Sequence, residues 1–479
     1  MCGIVGYAGN IETACGKPLE VCLQGLERLE YRGYDSAGVA LTAPGMDKVV
    51  VRKKAGRLKN LVEDIERKPM PLATVGIGHT RWATNGEPSD VNAHPHTSMD
   101  GKVAIIHNGI IENASQLRLD LQAEGYRFAS ATDTEVAAKL LGKIVDKIIA
   151  DEGKPDLFKA VRRMARMLEG AFTILATDCR QPDIVVGARH DSPLVVGLGE
   201  GENFLGSDVA AFVAYTKRAM EVDQDQAVCV SADKVIVTDF DGNVVENPKT
   251  YTVDWDASAA EKGGWDSFMD KEIHEDPAAV QRTLLGRFDA NGGITLDEVR
   301  IDEHDFKAID KIIVVACGTA SYAGQVAKYA IEHWVRIPVE IELAHEFRYR
   351  DPILTPRTLV VAISQSGETM DTLMALRHAR EQGSKVLAIC NTQGASIPRE
   401  SDAVLYTHAG PEVAVASTKA FVAQITAAYL LGLYLAQVKG AMFRDEIHQV
   451  LDSLKDMPRK IQWVLDTQPK TIQRPPSAW

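Results

Sequence analysis

From residue 309 onward the sequence alternates buried-strand and helix patterns with little between them. Apolar runs at 311–316, 339–343, 358–363, 385–389 and 403–406 read as strands. The stretches 322–334, 369–382 and the long run after Lys419 read as helices. Apolar strands separated by helices are joined by crossovers, which makes them parallel and covers both sheet faces. This half therefore predicts a doubly wound parallel sheet, with ligands expected at the carboxyl ends of its strands.

The first half has a different rhythm. Strand-like runs at 39–41, 48–52, 75–78, 103–107, 171–177, 184–187, 227–230 and 234–238 outnumber helical patterns at 18–29, 114–124, 134–149 and 157–168. Mixed sheets packed with helices are expected over 2–235. The polar stretch 236–300 reads in part as a linker, with a helical stretch over 268–287 and Pro277 near a helix start. The doubly wound domain is expected over 301–440. A helical connector over 451–465 and a disordered tail complete 441–479, since TQPKTIQRPPSAW has three prolines and no core pattern.

Composition narrows the class. A formal net charge of −13 argues against a broad nucleic-acid surface. No charged start leads into an apolar signal core, so the chain reads as cytoplasmic. Residues 420–438 carry no charge and approach bilayer-spanning length, but Gln424, Thr426, Tyr429, Tyr434 and Gln437 favour a buried helix over a membrane span. The seven cysteines include no Cys-x-x-Cys pair and no zinc-like spacing, so neither a metal nor another cofactor is expected.

Cys2 is the exception among them. Removal of Met1 would give one residue both a thiol and a free α-amine, with reference pKa values of about 8.5 and about 7.7–8.0. The amine can take the thiol proton, directly or through water. The apolar run after Cys2 reads as a buried strand that fixes the terminus. Five segments join it: Tyr31 through Gly38, His79 through Thr84, Asn92 through His96, His107-Asn108-Gly109, and Thr132 through Glu135. Each has a plain structural reading: Arg81 as a surface cation, Asp133 as a helix cap, Asn108-Gly109 as a turn, His94 as a loop residue. Together they supply amide hydrolysis. Asn108 and the Gly109 N–H suit an oxyanion, an arginine can hold a carboxylate in a fork, and an aspartate can hold an ammonium group. A substrate with carboxylate, ammonium and carboxamide is glutamine.

This set resembles the class II glutamine amidotransferases, the N-terminal-nucleophile glutaminases, over about residues 2–235. The resemblance implies an αββα sandwich with Cys2 as nucleophile and its own amine as base. It implies Asn108 and Gly109 as the oxyanion hole, Arg81 on the glutamine carboxylate and Asp133 on its amine. Trp82, Thr84 and His94 would belong to the pocket and its closing loop, and Arg32 and Gly33 would order the nucleophile's surroundings. Asn85 stands where members often have histidine.

In the second half, three strand-end loops are rich in hydroxyls: 317–321, 364–369 and 416–419. Each precedes a helix, whose free N–H groups and partial positive charge suit phosphate. None fits the Walker pattern, which argues against a nucleoside triphosphate. The loops resemble the sugar isomerase (SIS) domain. The two halves together resemble the glutamine–fructose-6-phosphate aminotransferase family, which implies glutamine and fructose 6-phosphate as substrates and a homodimer through the SIS half. Carried over, Thr319, Ser364, Gln365, Ser366 and Thr369 would hold the sugar phosphate, and Val415 and Ser417 would line the sugar site. Ala320 replaces a frequent serine.

The family adds a second SIS domain with an isomerising glutamate and a Schiff-base lysine. The chain as given ends before either, in RPPSAW. Glutamine hydrolysis is therefore expected to be retained and glucosamine 6-phosphate synthesis to be small or absent. Two alternatives stand beside this reading. One is a phosphoribosyl-pyrophosphate amidotransferase, which would need a pyrophosphate loop not seen here. The other is a non-catalytic sugar-phosphate-binding regulator, which would not need Cys2.

Overall fold

The computed structural model describes residues 2–10, 17–83, 86–253, 263–289, 293–296, 299–414 and 416–467. The chain divides into two compact units, Met1–Ala260 and Glu261–Trp479.

The first unit is built on two sheets. The eight-stranded sheet runs Thr250–Thr252, Arg218–Glu221, Val195–Leu198, Glu202–Gly206, Gly3–Gly9, Val75–Arg81, Ser36–Thr42, Val50–Ala55. The six-stranded sheet runs Val235–Asp239, Gln226–Val230, Gln181–His190, Phe172–Asp178, Val103–Gly109, His96–Thr97. Neighbouring strands pair antiparallel throughout, rather than in the mixed sheets expected. Side chains alternate across each strand. Ile4 and Ala8 meet Ala104, Ile106 and Leu175 between the sheets, whereas Val5 and Tyr7 face the helices Lys17–Arg28 and Leu58–Arg67. On the far side Ile105, Ile174 and Val186 pack against Asp133–Glu152 and Leu157–Ala165. The result is four layers, α, β, β, α.

The helix Asp133–Glu152 shows why local sequence forms these elements. Thr132 is its N-cap, accepting from the Glu135 N–H at 3.2 Å, and Gly153 ends it in a left-handed turn. Val136, Ala137, Leu140, Leu141, Val145 and Ile148 form the buried stripe between those signals. Thr132, not Asp133, is the capping side chain, which leaves Asp133 for another task.

The second unit is the expected doubly wound domain. Its five strands are parallel, in the order Val339–Leu343, Lys311–Ala316, Thr358–Ser364, Lys385–Cys390, Ala403–Tyr406. Alternate residues serve opposite faces. Ile312, Val314, Leu359 and Leu387 join the core with the helices Gly318–Val335 and Lys419–Lys439. Ile313, Val315, Val360 and Val386 pack against Phe347, Leu373 and Leu376. The helix Lys419–Lys439 is long and apolar enough to cross a membrane by length and composition, yet Leu430, Leu431, Leu433 and Leu435 are buried in this core.

Three expectations change. The stretch 236–300 is not simply a linker: Val235–Asp239 and Thr250–Thr252 close sheet edges of the first unit, and Phe268–Leu284 packs in the second through Val280 and Leu284. Pro277 lies inside that helix rather than at its start, because Ser267 supplies the N-cap, accepting from the Asp270 N–H. The single helix expected over 451–465 is two, Arg444–Lys455 and Met457–Thr467, with Pro458 in the first turn of the second, where its missing N–H costs nothing. The tail expected to be disordered falls outside the described residues beyond 467.

Leu433→Ala would empty a fully buried site in the second unit. The expected cost is about 2–5 kcal/mol. Calorimetry should show the transition of the second unit moving down while that of the first stays in place.

Candidate active site

Cys2 precedes the strand Gly3–Gly9, which lies between Val75–Arg81 and Glu202–Gly206. The main chain beside it is held from both sides. The Gly3 N–H donates to Thr80 Oγ1 at 3.2 Å, and the Ile4 N–H to Ser207 Oγ at 3.1 Å. The sulfur accepts from the Trp82 N–H at 3.1 Å. Burial pushes the Cys2 thiol pKa up, against the Trp82 N–H, the amino-terminal charge and Arg81, which pull it down. A thiol held protonated needs a nearby base, and the α-amine exposed by loss of Met1 would be part of the same residue.

Arg32 and Gly33 act through this frame. Arg32 Nη2 pairs with Asp208, whose other carboxylate oxygen accepts from the Ala210 N–H at 2.9 Å beside Ser207. A Cβ on Gly33 would stand 2.7 Å from the Trp82 nitrogen and 2.6 Å from the Arg81 carbonyl carbon. Only glycine lets the strand carrying that sulfur donor come so close. Asp35 fixes the same segment: its N–H donates to the Arg81 carbonyl at 2.9 Å and its carboxylate accepts from the Ala83 N–H at 2.8 Å.

Asn108 and Gly109 end the strand Val103–Gly109. Asn108 Nδ2 donates to the Cys2 carbonyl at 2.7 Å, which puts an amide donor against the nucleophile's own residue, with a second hydrogen to offer a substrate oxygen. Its Oδ1 lies 3.0 Å from His79 Nε2. Burial lowers the His79 pKa to about 3, so the ring is neutral, and it must carry its proton on Nε2 to serve that oxygen. Gly109 has φ +123°, and a Cβ there would sit 2.0 Å from the Ala171 carbonyl oxygen.

His94 is not on an outer loop. It stacks on His79 with ring centroids 4.2 Å apart, and His96 follows at 5.3 Å. Burial holds both pKa values well below the usual histidine range. His94, expected in the pocket and its closing loop, is buried in the irregular segment before His96–Thr97, where its ring backs the His79 ring that bonds Asn108. Trp82 is exposed, with Tyr34 edge-on at 5.4 Å, and Thr84 falls outside the described residues.

Asp133 and Arg81 supply the opposite charges. Asp133 Oδ2 accepts from the Ile111 N–H at 3.0 Å, and His107 Nδ1 lies 3.9 Å from it and 3.0 Å from Thr134 Oγ1. Arg81 is buried and donates to the Gly86 carbonyl at 3.1 Å. Burial lowers its pKa, while Cys2, Asp133 and Asp35 push it back up, so thiol, cation and carboxylate share one electrostatic neighbourhood.

In the second unit the order of strands reverses between Lys311–Ala316 and Thr358–Ser364. This is the topological switch point, where open α/β sheets bind ligands. Thr319 lies in the first turn of Gly318–Val335 on one side of it. Ser364 to Thr369 form the loop on the other. Ser364 Oγ accepts from the Gly367 N–H at 3.0 Å and bonds Thr369 Oγ1 at 3.0 Å; Ser366 Oγ accepts from the Glu368 N–H at 3.2 Å. The Gln365 carbonyl accepts from the Asn391 N–H at 3.3 Å. The third hydroxyl loop departs from expectation. Ser417 donates to Glu412, whose carboxylate also takes the Thr418 and Ala420 N–H groups, each at 3.0 Å. That helix start already holds an anion, so two of the three loops, not three, are free to cradle one. Val415 falls outside the described residues.

A family model described as a glutamine amidotransferase domain matches residues 79–214, and one described as a SIS domain matches 306–434. A glutamine–fructose-6-phosphate aminotransferase (isomerizing) of Corynebacterium diphtheriae is 62% identical over 97% of this chain and 74% of its own length. The Streptomyces coelicolor protein of the same name is 59% identical over 98% of this chain and 74% of its own. The chain belongs to this aminotransferase family. It spans about three quarters of the length of these curated relatives. The C-terminal domain of glucosamine-fructose-6-phosphate aminotransferase from Francisella tularensis is 38% identical over 44% of this chain and 58% of that one, with a TM-score of 0.42.

Within the family frame, the structure adds residues that motif reading left without a role: His79, His107, Asp35 and Asp208. The sequence signal for His79 and His107 is their placement two residues before Arg81 and Gly109, at the ends of two strands that lie in different sheets.

His79→Ala should lower the turnover of glutamine about 100-fold, within the range of losing an oxyanion donor, with little change in KM. Steady-state glutaminase kinetics check this, and a larger effect on KM than on kcat would refute it. Acid should also weaken the first unit. His79, His94 and His96 stay neutral when folded, but protonate below about pH 6.5 when unfolded. Their contribution is complete above that pH and is lost as the pH falls, by about 1.4 kcal/mol per pH unit for each ring. Urea denaturation between pH 7 and 5 measures that slope.

Proposed function

We propose that the first unit hydrolyses the glutamine side-chain amide at Cys2 and that the second binds fructose 6-phosphate, the sugar phosphate for which this family's ammonia is destined. The observation that carries this reading is the Asn108 amide, oriented by His79 and held 2.7 Å from the Cys2 carbonyl, with Arg81 and Asp133 in the same neighbourhood.

The thiol gives its proton to the α-amine and attacks the carboxamide carbon. The developing oxyanion takes the free Asn108 hydrogen and the Gly109 N–H. The ammonium form of the α-amine returns the proton to the leaving nitrogen, and water hydrolyses the thioester to glutamate. Arg81 and Asp133 bind the α-carboxylate and α-ammonium, so a substrate lacking either group loses a charged partner. In the second unit, Thr319, Ser364, Gln365, Ser366 and Thr369 hold the phosphate at the switch point, and Val415 and Ser417 line the sugar. Names of relatives 59–62% identical along nearly the whole chain support these substrates. The protein acts in the cytoplasm as a homodimer through the second unit. Tyr322, Val326 and Tyr329, exposed on one face of the helix Gly318–Val335, support an apolar contact there.

Cys2→Ala should abolish glutamine hydrolysis while leaving fructose 6-phosphate binding intact. Ammonia release and calorimetric titration with the sugar phosphate are the two measurements. Residual hydrolysis near the wild-type rate would sink the assignment of the nucleophile, and absent sugar-phosphate binding would sink that of the second unit.

A further inference from the structure

We propose that Cys317, His345 and Asp371 form a binding site for a divalent transition cation of the zinc class at the carboxyl edge of the second unit's sheet. One donor atom from each residue lies within 4.8 Å of the other two. The three come from different segments. Cys317 follows the strand Lys311–Ala316 and is the N-cap residue of Gly318–Val335. His345 is the second residue of the helix Ala344–Arg350, and Asp371 the second of Met370–Glu381. The strands that lead to them, Val339–Leu343, Lys311–Ala316 and Thr358–Ser364, are neighbours in the sheet, so the fold converges what the sequence separates.

The donor set selects the ion. A thiolate, an imidazole and a carboxylate suit zinc or its neighbours, whereas magnesium and calcium prefer oxygen alone. Zinc bonds of about 2.0–2.3 Å bring tetrahedral donors somewhat closer together than they stand here. His345 and Asp371 are exposed and can rotate inward, while Cys317, half-buried, stays where the strand end puts it. Thr372 supports the sulfur, its hydroxyl donating to Cys317 Sγ at 3.9 Å. Three protein ligands leave a fourth position for water or a ligand oxygen, the pattern of an open zinc site. None of its ligands is among the residues assigned to glutamine hydrolysis or to the sugar phosphate.

The test uses cobalt(II) as an optical stand-in for zinc on the whole chain. Cys2→Ala serves as background, because an amino-terminal cysteine is itself a chelator. One equivalent of cobalt should give a thiolate charge-transfer band that zinc abolishes by displacement. Cys317→Ser should remove the band. His345→Ala, at an exposed position, should weaken cobalt binding at least about tenfold, a loss in the range seen when support of a metal ligand is removed. No band in the Cys2→Ala protein, a band that survives Cys317→Ser, or unchanged affinity in His345→Ala would overturn the proposal. Should Cys317→Ser fail to fold by circular dichroism, the His345→Ala affinity decides alone.

Discussion

The structure depends on the strand Gly3–Gly9 lying inside a sheet rather than at its edge. Chain termini usually fray because nothing holds their backbone groups. Here every residue of the strand is buried, and Val5 to Ala8 have ladder partners on both sides. Even the first two N–H groups are taken, by the hydroxyls of Thr80 and Ser207. A buried donor left unpaired costs free energy comparable to a lost hydrogen bond, so displacing Cys2 would forfeit several at once. The nucleophile is thereby positioned by main-chain pairing across three strands, and the side chains around it only have to orient the substrate.

Behind Cys2 lies a layer of buried imidazoles. His79, His94, His96 and His107 are all buried, and burial lowers each pKa. In a low-dielectric interior a charged ring would be costly, and a neutral one carries a single proton that must go where it is needed. His79 spends it on Asn108, while His96 bonds Thr132 and His107 bonds Thr134 at the start of the helix that bears Asp133. One layer of rings thus supports both Asn108 and the start of the helix that bears Asp133. It also sets a limit, since burial disfavours a second proton on each of these rings.

Much of this was legible, for identifiable reasons. The βα alternation after residue 309 announced the parallel sheet because buried parallel strands are apolar on both faces, and every strand expected there formed. The glutaminase residues were visible because each sits in a short motif whose residue types fit one chemistry. What stayed hidden was long-range. Nothing near His79 in sequence says that it bonds Asn108, and nothing near Ser417 says that Glu412 would reach its helix first. Thr250–Thr252 is short and polar at the edge of a sheet, and Arg218–Glu221 beside it is only four residues long, so neither offers an apolar run. His94 looked like a loop residue beside a proline, and only tertiary stacking makes it part of the core.

The edge of the parallel sheet carries a polarity of its own. At the switch point the loop 364–369 presents hydroxyls and helix N–H groups. At 412–420 the equivalent groups are spent on Glu412, and the Glu272 carboxylate takes the Val413 N–H. Burial, then the Glu412 charge, raises the Asp276 pKa to about 7, a sign that one more negative charge is unwelcome there. A phosphate dianion is therefore repelled from the Glu412 loop and favoured at the Ser364 loop. The uncharged hydroxyls of a sugar carry no such penalty and gain from carboxylate acceptors. The two ends of this edge therefore differ in the charge they accept, and that difference follows from which helix start already holds a carboxylate.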